Sequence, residues 1–408
     1  MKLAYGKTFI NFKDSRFEVL GDFASTKSLS DAELNSIFDE KPIEDIVNSD
    51  ESVLFVVPDA TRKCASGQII NLLVRRLIAN GIMPFDMRII FATGIHRKVT
   101  DEEKSEILSP FIFQRIKILD HNPRDISQIV KLGETKGGTS IELNRALLEH
   151  DHIIIIGAIN WHYFAGFGGG RKLICPGLAS SRTINETHKL AFDFETKSRR
   201  EGVGTGLLVG NVVHEEFTEI VEKINPSYSV NVFTSEDGGI SEMFCGDWKP
   251  SFEESCAMFA LRYSVQITEK KEVVVVSCGG FPADINLIQA HKALENASLA
   301  CLDSGTIILL AECSEGLGRN DFLKWFEAEN SNKLAEMLVE KYQVNGQTAW
   351  SMMKKLEKFN VVLISDLLET ETRQMRISAS KNLNETLAKI DFKSGYLMPF
   401  GAKIRLIS

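Results

Sequence analysis

The sequence predicts an α/β protein of two domains, each a mainly parallel sheet flanked by helices, with the active site in the cleft between them. Length is the first reason. A chain of 408 residues exceeds what one hydrophobic core ordinarily organises, so two domains are expected. Alternation is the second: short apolar runs such as 53–57 (VLFVV) and 273–277 (VVVVS) are separated by stretches whose apolar residues recur at helical spacing. The third is 151–157 (DHIIIIG), apolar without alternation, as suits a strand covered on both faces.

In order, residues 1–50 open with a short strand pair and then turn acidic and polar. From Val53 a strand and the loop PDATRKC lead into a helix over 66–80, with Ile69, Ile70, Leu73 and Leu77 at helical spacing. Strands are expected at 86–93, 115–120 and 151–157, a helix at 180–190 and a flexible glycine-rich stretch at 202–210. Helix 212–223, strand 228–234 and helix 252–263 follow. The charged stretch 269–272 marks the domain change, which puts the first, cofactor-binding domain at 1–268 and the second at 269–394, with 395–408 left open to return to the first. The second domain repeats the alternation: strand 273–277, helix 286–297 with Asp284 as its N-cap, strand 305–311, helices across 321–357, strand 360–365 and helix 380–389.

Composition narrows the function classes. A net charge of −8 leaves no broad basic field for phosphate backbones, so nucleic acid is not an expected partner. Seven scattered cysteines (Cys64, Cys175, Cys245, Cys256, Cys278, Cys301 and Cys313) contain no C-x-x-C and read as reduced thiols, not as a disulfide frame or structural zinc site. No apolar run is long enough to span a membrane, and the N-terminus lacks the apolar core of a signal peptide. These observations predict a cytoplasmic protein with no membrane partner.

Ligands of open parallel sheets bind at the carboxyl ends of strands, and four polar clusters fall at such ends. Asp59-Ala60-Thr61-Arg62 follows the first long strand; its Arg can fork two N–H groups onto a carboxylate or phosphate, although a turn with a local ion pair explains the residues equally well. Thr93-Gly94-Ile95-His96-Arg97 follows the next, and its imidazole suits proton transfer near neutrality. The third is Ala165–Gly177, AGFGGGRKLICPG. Gly168, Gly169 and Gly170 lead into Arg171 and Lys172, with His162 ten residues before the Lys and His188 beyond it. The Lys is followed by Leu173, so this is no Walker A loop, and the histidines lack metalloprotease spacing; an anion-binding nest or a tight structural turn is the plainer reading. The fourth, Cys278–Asp284, opens a helix on which Gln289 and Lys292 share a face at i, i+3. A solvated Lys would account for Lys292, and His291, elsewhere on that helix, reads as surface or structural. Cys64 and Cys175 read as inert thiols.

Taken in order, D-x-T-R, T-G-x-H-R, H-Y-x-A-G-F-G-G-G-R-K-L-x-x-P-G, T-H and P-A-D-x-N-L-x-Q-x-x-K resemble the lactate racemase family from Asp59 to Lys292. The resemblance implies a nickel-pincer nucleotide (nickel pyridinium-3,5-bisthiocarboxylic acid mononucleotide) joined covalently to Lys172, with His188 as the nickel ligand. It further implies His96 and His162 as acid/base pair, Arg62, Gln289 and Lys292 as substrate contacts, and Asp59, Thr61 and Gly168–Gly170 beside the cofactor. The implied activity inverts C2 of a 2-hydroxy acid by reversible hydride transfer, with cofactor-synthesis proteins as partners. Where lactate-specific members carry an aromatic residue before the Gln, this chain has Ile288, so larger 2-hydroxy acids and a sugar acid join lactate as candidates; Trp350 is the candidate second aromatic of the pocket. Two rival readings remain: a lyase or dehydratase using the same cofactor, and a non-catalytic nickel-cofactor or nucleotide binding protein.

Overall fold

The computed structural model describes residues 1–408 except 22, 24, 25, 63, 236 and 408. It divides into two compact units. One comprises Ser25–Ala191 and Gly202–Phe259; the other comprises Met1–Ala24, Phe192–Glu201 and Ala260–Ser408.

The first unit is built on a six-stranded sheet in the order Ile240–Gly246, Tyr228–Thr234, His152–Ala158, Val53–Pro58, Met87–Ala92, Lys117–Leu119. Every pairing is parallel except that of Ile240–Gly246. His152–Ala158 lies inside the sheet and is buried from Ile153 onward, as its unbroken apolar run requires. Val53, Phe55 and Val57 pack with Ile69, Ile70, Leu73 and Leu77 of helix Ser66–Ala79, joined by Ile154 and Ile156. Full burial of each such side chain stabilises the fold by roughly 1.5–3 kcal/mol. The three neighbouring strands His152–Ala158, Val53–Pro58 and Met87–Ala92 end on the same side of this parallel sheet, so their outgoing loops are brought together.

The second unit holds an all-parallel six-stranded sheet: Ser378–Ser380, Asn360–Ile364, Cys301–Leu310, Lys271–Ser277, Gly395–Met398, Phe17–Val19. Strand Gly395–Met398, from the segment whose domain the sequence left open, pairs with Lys271–Ser277 and with Phe17–Val19. Helix Leu287–Ala300 packs Leu287, Ala290, Ala293, Leu294 and Ala297 into this unit's core.

Several local expectations need correction. The N-cap of helix Leu287–Ala300 is Asn286, whose side chain accepts from the Gln289 N–H at 3.0 Å. Asp284 instead accepts from the Gly6 N–H at 2.7 Å, tying the N-terminal hairpin to the strand-end loop. The helix expected over 380–389 is shortened to Leu383–Ala388 behind strand Ser378–Ser380, because Asn382 caps it by accepting from the Asn384 and Glu385 N–H groups. The helix expected from 252 begins at Trp248. Of the two readings of His291, surface or structural, the second holds: it is a core residue, 1% exposed. All seven cysteines are free, as the reading of reduced thiols expects, and all are buried. Among the described residues no helix is long and apolar enough to cross a membrane.

Candidate active site

Asp59 leaves strand Val53–Pro58 as a buried carboxylate. Its Oδ1 accepts from the Thr61 N–H at 2.9 Å and the Thr61 hydroxyl at 2.5 Å; its Oδ2 lies 2.6 Å from Nδ1 of His96. Burial opposes the charged carboxylate, but His96, Arg62 and Thr61 outweigh it and hold Asp59 below the usual carboxylate range. Arg62 Nη1 donates to the carbonyl and hydroxyl oxygens of Thr61, at 3.1 and 3.0 Å. The tight turn therefore gathers Asp59, Thr61 and Arg62 around the neighbouring strand's His96. The sequence nominated all four without indicating that the carboxylate serves the imidazole.

The His96 loop is tied to the glycine-rich segment by the backbone: the Gly94 N–H donates to the Gly177 carbonyl at 2.8 Å. Within that segment Gly169 and Gly170 are needed by the protein's own packing. Gly169 and Gly170 have φ of 75° and 48°, values costly for other residues. A Cβ on Gly169 would come within 2.7 Å of the Ala158 carbonyl oxygen, and one on Gly170 would overlap the Phe252 ring. Residues Gly170–Leu173 then form a short 3-10 turn, with Leu173 against Gly157 of the central strand.

Arg171, not singled out from the sequence, is fully buried in this turn. Its Nη2 donates to the Ala165 carbonyl at 2.7 Å, and the guanidinium lies 4.6 Å from the Phe252 ring centroid. Burial pulls its proton affinity down to about 10. The only sequence signal for it is its place in GGGRK.

Lys172 emerges on the other side. Its Nζ lies 3.2 Å from Nε2 of His162, and 5.0 and 5.5 Å from the ring centroids of Phe217 and Phe164. Burial, reinforced by the charges of Arg171 and Arg62, pushes this amine well below the ordinary lysine value. His188 sits in the last turn of helix Ser181–Lys189, which Ser180 caps by accepting from the Thr183 N–H at 3.1 Å. The Thr183 hydroxyl donates to the Ser140 carbonyl at 2.6 Å, pinning that helix to strand Ser140–Asn144. The imidazole packs 5.1 Å from the Phe164 ring and 5.9 Å from that of Phe217. Burial is the main cause that lowers His188 to about 3. It is a neutral imidazole with a lone pair, the form a metal ion requires. Phe164 and Phe217, which no sequence motif marked, thus wall both the amine and the imidazole.

The structure brings Asp59, Thr61, Arg62, His96, His162, Lys172 and His188 into one region of the first unit: Arg62 acts electrostatically on Lys172, and His96 on His188. Gln289 and Lys292 belong to the second unit. There Lys292 Nζ donates to Gln289 Oε1 at 2.8 Å, confirming their common helix face. Trp350 is buried and packs edge-on to Phe192 at 5.1 Å in that unit's core. Ile288 is half-buried beside the same core.

Two family models match the chain: the lactate racemase N-terminal domain over residues 18–200 and the lactate racemase C-terminal domain over 267–399. The chain belongs to the lactate racemase family. Proteins named lactate racemase from Thermoanaerobacterium thermosaccharolyticum and Lactiplantibacillus plantarum are 26% and 28% identical to it. The first comparison covers 95% of this chain and 93% of the relative; the second covers 86% and 83%. Among solved structures, the fold matches the lactate racemase apoprotein from T. thermosaccharolyticum with a TM-score of 0.88 at 23% identity, over 100% of this chain and 99% of that one. A Thermotoga maritima protein matches with a TM-score of 0.73 at 20% identity, over 94% of this chain and 100% of that one. Both likenesses show the α/β fold.

Proposed function

We propose that the chain is an isomerase that inverts C2 of a 2-hydroxy acid, with lactate and larger 2-hydroxy acids as candidate substrates. The observation that carries this reading is the Asp59-held His96 together with the His162–Lys172 pair in one unit of a lactate racemase family protein. Inversion requires proton transfer in both directions at the substrate hydroxyl, and two imidazoles satisfy that need. With Nδ1 bonded to Asp59, His96 presents Nε2 to the hydroxyl proton. Each positioned acid/base contributes on the order of 10²–10⁴-fold.

The residues present fit a nickel-pincer nucleotide. Lys172 supplies an amine of low proton affinity for covalent attachment, and His188 a neutral imidazole for nickel. When bound, such a group supplies a reversible acceptor for the C2 hydrogen and its electron pair. Arg62, Gln289 and Lys292 are the proposed carboxylate contacts, since guanidinium and ammonium groups hold and orient an anion. Dependence on cofactor-synthesis proteins and a cytoplasmic location belong to the same proposal.

The test is cofactor-loaded protein incubated with a panel of single-enantiomer 2-hydroxy acids in D₂O. Inversion with little deuterium at C2 is the expected result. Extensive C2 deuteration would replace hydride return by a carbanion route, loss of water would identify a dehydratase, and no turnover on any acid would leave a binding protein.

A further inference from the structure

The contact between Lys172 and His162 has a chemical direction that the other end of the imidazole determines. Nδ1 of His162 lies 3.2 Å from the backbone nitrogen of Ala165, with the N–H aimed at it. A backbone N–H can only donate, so Nδ1 carries no proton, and the ring proton of a neutral imidazole must then sit on Nε2. Nε2 in turn faces Nζ of Lys172 at 3.2 Å. A hydrogen bond across that gap runs from Nε2–H to the lysine nitrogen, which accepts only through an unprotonated lone pair. The opposite arrangement, an ammonium donating to bare Nε2, would put the ring proton on Nδ1 against the Ala165 N–H.

We propose that the Ala165 N–H locks the tautomer of His162 so that Nε2–H holds the lone pair of Lys172, making His162 the positioning residue of this amine as well as a candidate acid/base. The inference rests on the reading of Lys172 as the cofactor's attachment point. The surroundings act in the same sense. Arg171 on the same turn and Arg62 from the Asp59 loop place positive charge near Nζ. Attachment through a nitrogen nucleophile needs this protonation state, because an ammonium has no electron pair to form the new bond. Were Nζ to displace the leaving group of a thiocarboxyl carbon and give up one proton, its lone pair would be delocalised, and Nε2–H would be released to face a substrate hydroxyl. One ring thereby serves attachment first and proton transfer afterwards.

Two measurements on the full chain without cofactor test the lock. Nitrogen-15 spectra of histidine-labelled protein at pH 7.5 should show His162 protonated at Nε2 and bare at Nδ1; a proton on Nδ1, or on both nitrogens, overturns the proposal. Acetic anhydride is the second probe: the amine displaces acetate and loses one proton, and the modified peptide is quantified by mass. Lys172 should label at a rate nearly flat between pH 8 and 9.5, while a lysine amide added to the same solution climbs about tenfold per pH unit toward the ordinary value near 10.4. His162→Phe should slow labelling of Lys172 at pH 7.5 by about tenfold, and His162→Gln, which keeps an N–H donor, should restore most of the rate. A Lys172 profile parallel to that of the free lysine amide, or an unchanged rate in folded His162→Phe, overturns it; if His162→Phe does not fold, the nitrogen-15 spectrum decides alone. A loaded protein that turns over no 2-hydroxy acid leaves both readouts standing, whereas a wrong tautomer in an active racemase removes this inference and spares the function.

Discussion

Nδ1 of His96 stands 2.6 Å from Oδ2 of Asp59, a charge-assisted contact between a partly exposed imidazole and a carboxylate that is 6% exposed. The carboxylate's other oxygen is committed to Thr61, so its orientation is fixed before any substrate arrives. Asp59→Asn keeps the shape but offers an amide that can present its own N–H to Nδ1, which would turn the ring to the opposite tautomer. Racemisation should fall by about 10²–10⁴-fold with the fold intact. Loss of less than threefold would show that the carboxylate does not orient the ring.

Lys172 is expected to be the only point of covalent attachment. Co-expression with nickel and cofactor-synthesis proteins should give a mass adduct on the wild-type chain and none on Lys172→Ala. An adduct that persists on Lys172→Ala, or racemisation at wild-type rates by that variant, would refute the assignment.

Buried neutral histidines should make the fold acid-sensitive well above the carboxylate range. Burial lowers His121 to about 4, and His214 and His291 each to about 3. Burial keeps His121 neutral against one opposing contact: Nε2–H donates to the Ala179 carbonyl at 3.1 Å, which favours the charged ring, while Nδ1 accepts from the Asn144 amide at 3.0 Å. The unfolded chain protonates near pH 6.5 and the folded chain does not, so unfolding takes up protons between those values. Stability from these groups is complete above about pH 6.5 and is lost as pH falls toward 4. Urea unfolding at pH 7.5 and pH 5 should show His121→Gln losing about 2 kcal/mol less than wild type over that interval. Equal losses in the two proteins would mean that His121 is protonated in the folded state.

The sequence was most informative where one physical signal sufficed. The unbroken run Ile153–Ile156 announced a central strand, and strand ends carrying Asp59, His96 and Lys172 announced the loops that converge. What it did not show depends on contacts between distant segments. Nothing local to Asp59 says that its partner is thirty-seven residues away. Nothing in AGFGGGRK says that the crowding at Gly170 comes from Phe252. Phe17–Val19 is too short and too ordinary to be recognised as an edge strand; only its partner Gly395–Met398 makes it one. Lys292 and Gln289 were legible because helical spacing is local, and their hydrogen bond follows from it.

The same helix carries Glu295, whose ion pairs no motif announced. Its carboxylate meets Arg199 Nη2 at 2.6 Å and Lys355 Nζ at 2.5 Å, with the Ser351 hydroxyl at 3.3 Å. Burial works against the charge, but Lys355 and Arg199 prevail and hold Glu295 below the usual carboxylate range. Removing only the carboxylate leaves the largely buried Lys355 ammonium, together with the partly exposed Arg199 guanidinium, without its counter-charge, which costs more than the pair itself contributes. Glu295→Gln should therefore destabilise the protein by about 3–5 kcal/mol in urea unfolding. Replacing all three groups together (Arg199→Leu, Glu295→Leu and Lys355→Leu) should cost less than Glu295→Gln alone, because no charge is left unpaired. If the single change costs under about 1 kcal/mol, water reaches Arg199 and Lys355 and the triad is not the buried network its distances describe.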